Sequence, residues 1–128
     1  MKSYTDLEQS KKLAEILPLE SADCFWDYDG LQKFHRISWF EEGYNKESQL
    51  RLDENNVCAW SLAALLDAIP KCIGDYNIFR MDINDIDTSM WYDEIGYGVN
   101  TELPDITLES PTDACVEMII KLHEQNIL

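Results

Sequence analysis

The chain has 128 residues, a length typical of one domain, and its 45% hydrophobic content with 14 aromatics sets it apart from disordered segments. Twenty-five acidic residues against ten basic ones leave a formal charge of −15, which excludes simple attraction to nucleic acid or anionic membrane. No run approaches the roughly 18 apolar residues of a membrane span, and the N-terminus MKSYTDLEQSKK has no apolar signal core, so a cytoplasmic protein is expected.

Thr5 followed by Glu8 fits a capping box, and Leu7, Leu13, Ala14, Ile16 and Leu17 recur with helical spacing until Pro18. A helix over 6–17 is predicted. CFWDYDG (24–30) reads as a short extended segment closing on a turn. KFHRISWF (33–40) and SQLRL (48–52) flank EEGYNKE, which predicts a β-hairpin. Within NNVCAWSLAALLDAIPKCI (55–73), Leu62, Leu65, Leu66 and Ile69 share one helical face, Ala63 and Ala64 permit close approach, and Pro70 ends the run. A helix over 59–69, apolar nearly all round, is expected to be buried on more than one side and to form the hub of the fold.

YNIFRMDI (76–83) places Phe79, Met81 and Ile83 on one side. MWYDEIGYGV (90–99) places Trp91, Ile95, Tyr97 and Val99 on one side. Both read as half-buried strands, separated by the loop residues NDIDTS. Ser110, Pro111 and Asp113 mark the start of a last helix, with Cys115, Met118, Ile119 and Leu122 as its buried stripe and Lys121 and His123 near its negative pole. The expectation is one α+β domain over 1–128, ordered α-β-β-β-α-β-β-α. Its three helices pack on a mainly antiparallel sheet of four or five strands.

Cys24, Cys58, Cys72 and Cys115 form no C-x-x-C pair, and the last three lie among apolar residues, so buried free thiols are expected. DINDID (82–87) alternates oxygen ligands, but a calcium loop wants Asp or Asn where Ile86 stands, Gly where Asp87 stands, and Glu where Asp93 stands. His35 and His123 sit in no catalytic motif, and the five glycines form no phosphate loop. With 25 acids, carboxylate pairs point nowhere in particular. No catalytic, cofactor-binding or metal-ligating residue is assigned.

The charge is uneven, with twelve acids and seven bases in residues 1–64 but thirteen and three in 65–128. Between Arg80 and Lys121 there is no Lys or Arg. So one-sided a field faces water or a cation. Alternation turns one of Trp91 and Tyr92 outward, where an aromatic within a charged rim can anchor a partner. The candidate interaction surface is therefore Asp82, Asp85, Asp87, Trp91, Tyr92, Asp93 and Glu94.

At YTDLEQSKKLAEILP, WSLAALLDAIP and DACVEMIIKLHE the chain resembles a family of small acidic proteins of unassigned function, encoded in gut-bacterial genomes and phage-like or conjugative mobile elements. The resemblance implies a bacterial or phage setting and an accessory role, and it carries no catalytic or binding residue with it. The leading expectation is an accessory or regulatory protein-binding module whose partner has a basic surface. The alternatives are a DNA-mimic inhibitor of a DNA-binding enzyme, and a small hydrolase or metal-dependent enzyme.

Overall fold

A computed structural model describes residues 2–128. It is α+β, with helices α1 (Leu7–Leu13), α2 (Lys46–Leu50), α3 (Leu62–Ala68) and α4 (Pro111–Glu124). The strands are β1 (Cys24–Asp29), β2 (Phe34–Trp39), β3 (Val57–Ala59), β4 (Cys72–Ile73), β5 (Asn77–Ile83), β6 (Thr88–Glu94), β7 (Gly98–Val99) and β8 (Ile106–Leu108). They form two antiparallel sheets in place of the single one expected. The smaller is ordered β2-β1-β3, and the larger β4-β5-β6-β7, with β8 pairing the start of β6.

Local chemistry explains where these elements begin. Asp6, not Thr5, caps α1: its carboxylate accepts from Gln9 N at 2.8 Å while Gln9 Oε1 takes Asp6 N at 3.1 Å. Thr5 is turned inward and buried, its hydroxyl 2.7 Å from Ser10 Oγ and accepting from Trp60 N at 3.2 Å. The expected hairpin partner at 48–52 is largely helical instead. Asn45 caps α2 by accepting from Ser48 N at 3.0 Å, and Glu47 pairs with Arg51 one turn on. The hairpin that does form is β1–β2, whose turn is set by Asp29 Oδ1 accepting from Leu31 N and Gln32 N.

The apolar stretch 55–73 divides between two elements. Residues 57–59 are drawn into β3, and α3 begins only after Ser61, whose hydroxyl accepts from Ala64 N. Leu65 and Ile69 are buried, Leu62 and Leu66 half-buried, and Ala63 and Asp67 face water. Helix α3 is thus amphipathic, contrary to the all-round burial expected. The most deeply buried helix is α4, in which nine of fourteen residues are buried, among them Cys115, Met118, Ile119 and Leu122, while Lys121, His123 and Glu124 are exposed. It packs on α1, α3, β6 and β8, and one apolar cluster runs from Leu13 through Trp60 and Leu65 to Leu122. Asn126 in the left-handed region closes the helix, with Ile127 N donating to Leu122 O at 2.9 Å.

Strand β6 is the middle of the larger sheet, and its register decides which side chains face α4. Thr88, Met90 and Tyr92 stand opposite Ile83, Met81 and Phe79 of β5, and all three are buried. The inner face of the strand is therefore Thr88, Met90 and Tyr92, and of the two adjacent aromatics it is Trp91 that faces outward. The strand also ends at Glu94, so Ile95 and Tyr97 are exposed turn residues, with Gly96 at φ 87 supplying the left-handed conformation there.

Candidate functional site

The seven candidate residues do not form one patch. Asp82, Trp91 and Asp93 share the outer face of the β5–β6 hairpin, Asp85 and Asp87 lie in its turn, and Glu94 is at the far end of β6. Tyr92 leaves the set altogether. Its side chain is buried against Phe79, ring centroids 5.6 Å apart, and its hydroxyl donates to Pro70 O at 2.7 Å. Burial pushes its phenol well above the ordinary value. Trp91 is half-exposed, and its indole N–H donates to Asp93 Oδ1 at 3.0 Å, while Arg80 Nε approaches Asp93 Oδ2 at 3.4 Å. In the turn, Asn84 Oδ1 accepts from Ile86 N and Asp87 N, and Asn84 Nδ2 donates to Asp87 Oδ1 at 3.2 Å. That network shapes a turn and leaves Asp85 free to solvent.

A groove of about 550 Å³ lies between this turn and the start of α4. Its floor is one rung of the larger sheet, Ile83, Thr88 and Leu108, cross-strand partners on β5, β6 and β8. Asp85 and Ile86 of the turn and Glu109, Ser110 and Pro111 at the start of α4 line the groove. Lys2 and Asp113 also line it, joined at 2.8 Å, and Lys2 Nζ reaches Asp6 at 3.1 Å. Thr88 is fully buried, and its hydroxyl has no hydrogen-bond partner among the described residues.

Burial works against ionising Asp113, but hydrogen bonds from Lys2 and Gln9 overcome it and hold the carboxyl below its ordinary 3.8. Burial likewise opposes the charge of Asp6, yet Gln9 N and Lys2 hold its carboxyl low. For Lys2 burial is again the largest influence, and the bonds to Asp113 and Asp6 outweigh it, holding the ammonium above 10.5. Depressed carboxyls add stability that is complete above about 3.8 and lost as pH falls through their folded values, whereas the raised Lys2 contribution fades only at alkaline pH above 10.5. The stability gap between wild type and Lys2→Met, followed by urea unfolding, is therefore expected near neutrality and to close below pH 3.8. A gap independent of pH would contradict this pairing.

Neither histidine meets an Asp or Glu side chain within hydrogen-bond distance. His35 Nε2 lies 3.0 Å from Asn55 O, and His123 Nδ1 lies 2.8 Å from Leu128 O. Among the described residues, no three His, Cys, Asp or Glu side chains are grouped to hold a metal. Three of the cysteines are buried thiols, but Cys72, expected to join them, is exposed on the short β4 strand. Desolvation pushes the Cys58 thiol up to about 11 and Cys115 to about 12. Iodoacetamide on the native protein is accordingly expected to label Cys72 alone, with all four cysteines reacting after denaturation. Prompt native labelling of Cys58 or Cys115 would show that the core opens.

Reasoning from the sequence found Asp85 but missed the groove, because Lys2, Thr88 and Leu108 come together only through strand pairing and the seating of α4. Thr88 had a local signal, since Thr88, Met90 and Tyr92 alternate as an inward face, but Trp91 offered an equally apolar alternative. Among the described residues, no helix is long and apolar enough to cross a membrane. No protein-family model, curated protein or solved structure matches the chain.

Proposed function

We propose that this chain is an accessory or regulatory protein-binding module whose partner presents a basic surface. The observation that carries the reading is the uncompensated charge of the second half. Of the ten acidic residues between Arg80 and Lys121, only Asp93, Asp113 and Glu117 have a basic side chain within ion-pair distance among the described residues. Like charges at that density repel one another and weaken the compact state, and a cationic partner relieves the repulsion while steering its own approach. The family resemblance supports a bacterial or phage setting, and four unpaired thiols suit a reducing cytoplasm.

Duplex mimicry requires carboxylates in rows along one elongated face. Here Asp82 and Asp93 lie on the outer face of the hairpin, Asp85 and Asp87 in its turn and Glu94 at its far end, a distribution that favours basic protein side chains. A hydrolase requires an assembled acid and base, and each histidine is instead bonded to a main-chain oxygen.

Paired affinity capture tests the reading. One bait is wild type and the other carries Asp82→Asn, Asp85→Asn, Asp87→Asn, Asp93→Asn and Glu94→Gln, with circular dichroism confirming that both are folded. The expected result is a basic protein recovered by the first bait and lost from the second. Identical recovery by both would overturn it.

A further inference from the structure

We propose that the groove between the β5–β6 turn and α4 seats a lysine or arginine side chain of the partner protein. This rests on the basic-partner reading above and gives it an address. The groove has the two properties such a side chain needs, an apolar floor for its methylene stem and carboxylates for its cationic head. Ile83 and Leu108 supply the floor and remain 48% and 38% exposed, so the end of the sheet is not covered by α4. Asp85 and Glu109 both line the groove, and neither has a basic side chain within ion-pair distance among the described residues. Lys2, the basic residue lining the groove, is already committed to Asp6 and Asp113.

The Thr88 hydroxyl is the second, independent sign. It is buried in the floor and has no partner among the described residues, a state that costs stability where valine of nearly the same shape would cost none. Its lone pairs can accept from an ammonium or guanidinium N–H. The positive pole of α4, which would otherwise favour an anion here, is answered by Ser110, whose hydroxyl accepts from Asp113 N at 3.3 Å, and by the Asp113 carboxylate. What remains unanswered in the groove is negative charge and one orphaned hydroxyl.

The test is an NMR titration of the ¹⁵N-labelled full chain with Nα-acetyl-lysine N-methylamide, its arginine counterpart and its norleucine counterpart. Lysine or arginine is expected to give saturable shifts confined to the amides of 84–88, 108–110, 112 and 113, with norleucine about tenfold weaker or worse. Asp85→Asn combined with Glu109→Gln is expected to weaken the charged probe about tenfold. Thr88→Val is expected to weaken it severalfold, yet to melt at a higher temperature than wild type when no probe is present. The proposal fails if norleucine matches lysine, or if the Asp85 and Glu109 substitutions leave the charged probe unaffected. Shifts from the charged probe centred on Trp91 and Asp93 would remove the groove and leave the basic-partner reading standing. No shift from any charged probe, together with identical recovery by the two capture baits, would remove both.

Discussion

Ile119→Ala is expected to lower stability by about 2–5 kcal/mol, whereas Leu62→Ala should cost clearly less. Ile119 is fully buried at the middle of α4, where the helix packs on α1, α3 and both β6 and β8. Removing its side chain leaves a cavity with walls contributed by separate elements, which cannot all move to fill it. Leu62 is half-buried at the first turn of α3, so part of its surface meets water already, and the lost transfer energy is smaller. Urea unfolding of the two variants measures the difference directly. Equal losses would mean that α4 is no more central to the core than α3.

Trp60→Ala should be as damaging, at about 3–5 kcal/mol. Trp60 is completely buried between β3 and α3, and its peptide group ties down the N-terminal segment: Thr5 N donates to Trp60 O at 2.9 Å, and Trp60 N donates to Thr5 Oγ1. Its indole N–H donates to Ser21 Oγ at 2.9 Å. Trp60→Phe keeps most of the packing and loses that hydrogen bond, for about 1 kcal/mol. A Phe variant as unstable as the Ala variant would show that the indole bond, and not the buried ring, carries the effect.

The elements legible in the sequence were those whose signals are local. Ser110, Pro111 and Asp113 announce α4, and its stripe at Cys115, Met118, Ile119 and Leu122 is buried as expected. Strand β5 follows its alternation of Phe79, Met81 and Ile83, which do share the inner side. What could not be read depends on distant partners. The strands β4, β7 and β8 have only two or three residues each, and they exist because β5 or β6 lends them hydrogen bonds. The facing of Trp91 and Tyr92 is undetermined locally, since either aromatic suits an interior. It is settled by cross-strand pairing with Arg80 and Phe79 and by a carbonyl at Pro70 able to receive the Tyr92 hydroxyl. At 46–50 a capping asparagine and a one-turn ion pair outweighed an alternation of only five residues.

For the site, the sequence located the excess of negative charge but not its arrangement. Glu109 lies too far along the chain from Asp82 and Asp85 for any spacing rule to join them, and the groove beside Asp85 requires α4 to dock first. The scaffold is apolar and centred on α4, while the side chains of Asp82, Asp85 and Glu109 make no hydrogen bond or ion pair among the described residues.

That separation is tested most directly by the stability of Asp82→Asn/Asp85→Asn/Glu109→Gln, measured by urea unfolding at low and high salt. Removing three unpaired negative charges from a chain of net −15 should leave the midpoint unchanged or raise it at low salt, with the gain disappearing as added salt screens the repulsion. A midpoint lowered at both salt concentrations would mean that these carboxylates hold the fold together and are not free for a partner.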